Sequence, residues 1–259
     1  MNKLKNLILW LMIAGYMILA LGFVRRENDA LKCTGISIHI HDSIRQQFII
    51  KEDILEMITE AGDSIAGGLI GRLELSHMED LMRAHPAVKK AEIYTTVDGE
   101  LRAEIWQRKP LVRIIDRSNR NYYIDEEGWF MPVSLRHSER VLVINGNISP
   151  ALFKAGGMHH LDDEPDKELL EGLFDIARYM YEDEFWRSQI VQVYINEQKE
   201  LELVPRLGAH IIHFGTTDDY MEKLFKLETV YREGFNFLGW NQYETINLKY
   251  KNQVVCTKK

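Results

Sequence analysis

Cysteine is nearly absent from this chain of 259 residues: Cys33 and Cys256 are the only two. Two thiols at opposite ends of the sequence cannot make a disulfide framework, and nothing in their spacing demands a bond between them. No basic excess is present either. The chain carries 32 basic and 39 acidic residues, and beyond Lys32 the balance is 27 against 37. A body this acidic lacks the positive stripe that a nucleic-acid binder needs. Catalytic signatures are missing as well. There is no G-x-S-x-G elbow, no S-x-x-K pair and no H-E-x-x-H or C-x-x-C signature, and neither cysteine has a neighbour that would activate it. The glycines at Gly67, Gly68 and Gly71 lack the Lys-Ser/Thr of a phosphate cradle and read as a turn. Three histidine pairs, His39-x-His41, His159-His160 and His210-x-x-His213, are each too sparse for a metal centre and read as strand surface or solvated loop. No repeats or low-complexity tracts occur. The sequence therefore gives no catalytic residue, no metal ligand and no cofactor.

One long hydrophobic run is present, and it governs everything after it. Leu7 to Val24 contains no charge and lies between Lys3 and Lys5 on one side and Arg25 and Arg26 on the other. As a helix it would span roughly 27 Å, close to a hydrocarbon core of about 30 Å. Bulky residues and two arginines at its end argue against a cleaved signal peptide. The expectation is a short stub over 1–6, which the family resemblance given below makes cytoplasmic, and a transmembrane helix over 7–24, with Leu7, Trp10, Ile13, Met17, Leu21 and Val24 as membrane-anchor residues. Charge counting alone does not orient it.

Beyond the run, periodicity predicts strand, helix, helix, strand, strand. Ile36, Ile38 and Ile40 alternate with Ser37, His39 and His41. Ile54, Met57, Ile58 and Ala61 fall at helical spacing over 51–61. Ser76-x-x-Glu79 reads as a capping box opening a second helix that stops at His85-Pro86. Asp98-Gly99 marks a hairpin between strands over 88–97 and 100–107. After Pro110 the pattern predicts strands over 111–115, 121–124, 141–144, 189–195, 200–204 and 210–214. Helices are expected over 167–181 and 218–231, the latter with Met221, Leu224, Phe225, Leu227 and Val230 as its apolar stripe. His159 to Pro165 reads as an exposed loop. Two closing strands, over 243–250 and 253–257, end the chain. A final strand is often an edge strand, whose unpaired backbone groups can accept another chain.

These motifs, in this order, resemble the FtsQ/DivIB cell-division family. The segment His85-Pro86-Ala87-Val88-Lys89-Lys90-Ala91-Glu92-Ile93 and the closing Arg108-Lys109-Pro110 are similar to the family's POTRA domain and its junction. Tyr122 to Pro132 resembles its strand and D-x-x-G turn, and Ile246-Asn247-Leu248-Lys249-Tyr250 its late strand, with Asn247 and Lys249 standing where Asp and Arg are usual. The ending is similar to the Bacteroidetes branch. The resemblance implies an α+β protein: an N-terminal transmembrane helix, a POTRA-like β-α-α-β-β domain over 36–109, and a mixed β domain with flanking helices over 110–259. It implies a non-enzymatic, single-pass type II protein of the inner membrane at the division septum, its ectodomain periplasmic. Partners would be FtsB and FtsL, with no nucleic acid and no cofactor. Carried over by position, the partner-binding strand is Tyr250, Lys251, Asn252, Gln253, Val254, Val255 and Cys256, and a proline at Val254 should weaken capture. The competing readings are an outer-membrane assembly factor, which would need a barrel of many more strands after its POTRA domains, and an anchored hydrolase.

Overall fold

The computed structural model describes residues 9–20, 22, 31–42, 47–61, 67–149, 151, 159–235 and 239–259. Residues 9–20 form a helix, α1. Its side chains are largely exposed, Trp10 at 70%. Among the described residues no helix is long and apolar enough to cross a membrane. The expected span is thus described only over 9–20; Trp10, Ile13 and Met17 lie on α1, while Leu7, Leu21 and Val24 fall outside the described residues.

The folded body divides into two compact units, with the division between Gln107 and Arg108. The first contains β1 (Gly35–His41), α2 (Lys51–Ala61), α3 (Leu75–Ala84), β2 (Val88–Thr95) and β3 (Glu100–Gln107). The three strands are ordered β1-β3-β2, with β1 parallel and β2 antiparallel to β3. This is the strand-helix-helix-strand-strand order that the periodicity predicts. Ile54 and Ile58, one turn apart on α2, are fully buried, as are Met78 and Met82 on α3 and Leu101, Ala103 and Ile105 on β3. The helices therefore cover one face of the sheet. Asp53 Oδ2 accepts the Ile50 N–H at 3.1 Å and closes the start of α2.

The capping box expected at Ser76 does not form. Helix α3 starts at Leu75, with Glu74 as its N-cap and no side-chain cap. Glu79 instead accepts the backbone N–H of Ile93 at 2.7 Å and holds Arg83. Because β2 is an edge strand, that N–H needs an acceptor more than the helix start does, and the glutamate blunts the edge. The hairpin turn is also longer than two residues: β2 stops at Thr95, and the Thr96 N–H bonds the Glu100 carbonyl at 2.9 Å. Gly99, at φ +82°, sits where a Cβ would come within 2.7 Å of the Lys32 carbonyl oxygen.

The second unit is a nine-stranded mixed sheet. Its strands are β4 (Pro110–Ile115), β5 (Asn121–Asp125), β6 (Phe130–Pro132), β7 (Leu142–Gly146), β8 (Ile190–Ile195), β9 (Leu201–Pro205), β10 (Ile211–Gly215), β11 (Tyr243–Asn247) and β12 (Val255–Lys258). Helices α4 (Lys167–Glu182), α5 (Glu184–Gln189) and α6 (Tyr220–Thr229) complete it. The strand order is β12-β11-β10-β9-β8-β7-β4-β5-β6. β7 and β8 are parallel, joined through α4 and α5; β10 and β11 are parallel, joined through α6. Parallel neighbours need such crossovers, whereas antiparallel β8 and β9 are joined by a short turn.

The register aligns one apolar row across all nine strands. Pro132 pairs with Tyr122, then Ile114, Ile144, Val193, Leu203, Ile212, Ile246 and finally Cys256. From Tyr122 to Ile246 every member is buried, and α4, α5 and α6 bring Leu173, Ile176, Trp186, Leu224 and Leu227 into the same core. A slip of one residue in any strand would turn its buried side chains to the opposite face.

Two further expectations are corrected here. His159 to Pro165 is not an exposed loop. His159 and Glu164 are both buried and hydrogen-bonded to each other, and Leu161–Asp163 forms a 3-10 turn between them. The polar composition misled because two ionisable groups satisfied each other inside. On α6, only Leu224 and Leu227 of the expected stripe are buried, while Met221 is 58% and Phe225 70% exposed. The helix turns into a π-helix over Val230–Gly234, which brings Tyr231 and Phe235 against His210.

Candidate partner-binding edge

β12 is the last strand of the sheet and, among the described residues, pairs only with β11. The ladder sets Asn247 opposite Val255, Ile246 opposite Cys256, Thr245 opposite Thr257 and Tyr243 opposite Lys258, with a register shift between Tyr243 and Thr245. Successive residues alternate. Val254 and Cys256 pack on the core, whereas Val255, 42% exposed, and Thr257 point away from it. The outer backbone groups of β12 have no neighbouring strand among the described residues, so this edge is open to β-augmentation.

Of the seven residues carried over for partner binding, only Val255 and Cys256 lie in the strand; Thr257 and Lys258 complete it. Tyr250 to Asn252 form the turn before it, with Asn252 at φ +61°, and Gln253 and Val254 lead into the ladder. Val254, the site of the expected proline effect, immediately precedes β12. The turn is held from three sides. Lys226 Nζ donates to the Tyr250 carbonyl at 3.0 Å, tying α6 to it. Asn247 Oδ1 accepts the Lys249 N–H at 3.0 Å, and Lys249 Nζ reaches Glu200 at 2.9 Å. Asn247 and Lys249, the two departures from the family pattern, thus keep a backbone cap and an ion pair of their own. Cys33 and Cys256 are both free thiols, and burial raises the pKa of Cys256, which leaves it less reactive.

The surface beside this edge was misassigned from periodicity. Met221 and Phe225 lie one turn apart on α6, exposed, on the helix that Lys226 links to the turn. Tyr250, 49% exposed, lies in the turn that Lys226 holds, and Val255, also exposed, lies on the strand itself. Helical spacing cannot tell a buried stripe from an exposed one. The width of this stripe, five residues over two and a half turns, was the available hint.

Two of the sequence motifs meet in a buried ion pair. Arg108 Nη1 lies 2.7 Å from Asp125 Oδ2, with both side chains almost wholly buried. Asp125 Oδ1 accepts the N–H groups of Glu127 and Trp129 at 2.9 and 2.8 Å, and the guanidinium lies 5.3 Å from the Trp129 ring. Gly128 closes the turn at φ +88°, where a Cβ would stand 2.6 Å from Leu161. Arg108 of the R-K-P segment and Asp125 of the D-x-x-G turn are thus one structural device.

Of the histidine pairs, His210 is buried and bonded to the Tyr231 hydroxyl at 2.9 Å, while His213 lies at the sheet surface near Glu202. His160 bonds the Glu127 carbonyl at 2.8 Å. Among the described residues neither pair converges on a third ligand.

Residues 109–257 match the family described as FtsQ/DivIB, C-terminal related. The chain belongs to the FtsQ/DivIB family. Residues 31–106 match a POTRA-like domain, in agreement with the β-α-α-β-β order of the first unit. Over 202 residues the chain is 26% identical to the cell division protein FtsQ of Rhodothermus marinus, covering 73% of this chain and 67% of that protein. The matched FtsQ/DivIB region includes the whole nine-stranded sheet except Lys258, the last residue of β12.

Proposed function

We propose that this FtsQ/DivIB-family chain is a non-enzymatic scaffold of bacterial cell division. It is anchored by residues 7–24 as a single-pass type II protein of the inner membrane, with the POTRA-like and β domains periplasmic at the septum. It captures a bitopic FtsB-type partner, together with FtsL, by strand addition to β12. The observation that carries this reading is the edge at Val255–Lys258, where the apolar row ending at Cys256 has no further neighbour among the described residues. An added strand would continue that row inward with an apolar side chain, and its main chain would complete the ladder. Exposed Met221, Phe225 and Tyr250 would take the flanking apolar residues.

Charge narrows the partner. Within 250–259 there are three lysines, Lys251, Lys258 and Lys259, and no acid. A strand alternating apolar with acidic residues would fit best. The anchor supports the same reading. α1 is apolar with most side chains exposed, a pattern that suits lipid rather than a protein core. Tethering the chain to the membrane raises the effective concentration of a partner that is itself anchored there.

The test is affinity capture from membranes with the full chain, with a chain ending at Lys249, and with Thr257→Pro and Lys258→Pro. Neighbouring residues in a strand aim their N–H groups in opposite directions, so one proline removes an outward donor and the other a donor to β11. The expected result is loss of a small bitopic partner from the truncated chain and from the proline variant that keeps wild-type thermal stability. Capture of that partner by all four chains alike would sink the proposal, as would capture of outer-membrane chains instead.

A further inference from the structure

We propose that the outward face of β1 and β3 forms a divalent-cation site from His39, His41 and Glu104, suited to a borderline first-row ion such as Zn2+. The strand geometry assembles it. His39 and His41 are two residues apart on β1 and share a face, and the parallel register sets His39 opposite Glu104 and His41 opposite Trp106. One ligand atom from each of the three side chains lies within 4.8 Å of the others, and among the described residues this is the one such group. In a tetrahedral complex with bonds of about 2.0–2.1 Å the ligand atoms stand roughly 3.3 Å apart. Binding would draw the three atoms together by at most about 1.5 Å.

Three further features favour an ion there. The His41 ring stacks on Trp106 with centroids 4.4 Å apart and planes 8° from parallel, which limits its rotation. Its Nε2 already meets Glu104 Oε2 at 3.0 Å, while the His39 ring stands edge-on to it at 4.6 Å. Glu92 on β2 is registered directly opposite Glu104. Like charges across a ladder repel, and Lys90, the cation paired with Glu92 at 2.6 Å, offsets that only from the Glu92 side. A cation bound to Glu104 would relieve the repulsion from the other. Two imidazoles with one carboxylate suit Zn2+ and its neighbours, whereas Mg2+ and Ca2+ prefer oxygen ligands throughout. Three protein ligands leave a fourth position for water or an outside donor.

The experiment uses the untagged full chain in detergent micelles, freed of metal by chelation and titrated calorimetrically with Zn2+, then with Co2+ as a spectroscopic probe. One saturable Zn2+ site per chain is expected, with a visible Co2+ absorption of tetrahedral intensity. His39→Gln leaves the His41–Trp106 stack in place, and Glu104→Gln keeps a hydrogen-bonding group beside His41. Each should weaken binding at least tenfold, because loss of a mere outer-shell partner typically costs about 10–100-fold. The double variant should lose the site with its circular dichroism unchanged. Absence of saturable binding to the wild-type chain, or undiminished binding by a folded double variant, would overturn the assignment.

Discussion

The two units place their ionisable groups differently. In the three-stranded unit nearly all charge lies outside: His39, His41, Glu104, Lys90 and Glu92 share an open sheet face, and Arg83 lies on the outer side of α3. In the nine-stranded unit, Arg108 with Asp125, His159 with Glu164, and Asp116 are buried. The difference follows from the work each backbone must do. In the small sheet the β2–β3 connection is closed by the Thr96 N–H on the Glu100 carbonyl rather than by a buried carboxylate. The larger sheet includes the tight D-x-x-G turn after β5 and the turn between β4 and β5, where the Asp125 and Asp116 carboxylates each gather two backbone N–H groups. Burying a charge is tolerable there because both oxygens of the Asp116 and Asp125 carboxylates accept hydrogen bonds.

Breaking one partner of the Arg108–Asp125 pair gives the largest effect. Asp125→Ala takes the 2.7 Å carboxylate from a buried guanidinium, leaving Glu127 Oε2 at 3.6 Å, and strips the Glu127 and Trp129 N–H groups of their acceptor. It should cost about 3–5 kcal/mol in urea unfolding of the full chain. Replacing both partners, Arg108→Met with Asp125→Leu, should recover part of the ion-pair loss but not the turn. A loss below about 1 kcal/mol for Asp125→Ala would mean that the buried network does not set the stability of this unit.

How far the sequence reveals this contrast depends on the residue. Period-two runs placed most strands within one or two residues, because a half-buried strand must alternate. The three-residue β6 and the short helix α5 were missed; each is too short to show a period, and α5 starts because Asp183 Oδ1 caps the Trp186 N–H at 3.0 Å. Ser76 failed as a cap because Glu79 was claimed by the edge of β2, a tertiary demand that local spacing does not encode. The C-terminal hairpin was legible as two alternating runs, but its turn was not, since Lys226 and Glu200, distant in sequence, help hold it. Met221 and Phe225 show the same limit: helical period locates a stripe and leaves open what covers it.

Acid sharpens the comparison further. His210 belongs to the buried set of the larger unit. Burial first, and the nearby Lys259 ammonium second, hold its pKa below the ordinary histidine value of about 6.5. Its Nδ1 has no hydrogen-bond partner among the described residues, so a second ring proton would be buried without an acceptor. As pH falls the unfolded chain takes up the proton first. The contribution of neutral His210 is complete above about pH 6.5 and declines as pH drops below that value toward the folded pKa. Thermal unfolding followed from pH 7.5 to 5 should show a falling midpoint, and His210→Gln should flatten that slope. An unaltered slope in the variant would assign the acid sensitivity to other groups.

The smallest effect belongs to the outer face of the first unit. Arg83 sits between Glu79 and Asp80 at 2.5 and 2.9 Å, in a solvent-exposed arrangement where ion pairs contribute about 0.2–1 kcal/mol. Arg83→Ala should therefore shift unfolding by no more than that, and less at high salt. Glu79→Ala loses the same ion pair but also leaves the Ile93 N–H of an edge strand without its protein acceptor, and should cost about 1–2 kcal/mol more. Equal losses for the two variants, measured in parallel urea titrations, would mean that water replaces the carboxylate at the β2 edge without cost. A larger loss for Glu79→Ala, persisting at high salt, would show that even in the unit with its charges outside, one carboxylate is spent on backbone geometry, as Asp125 is in the other.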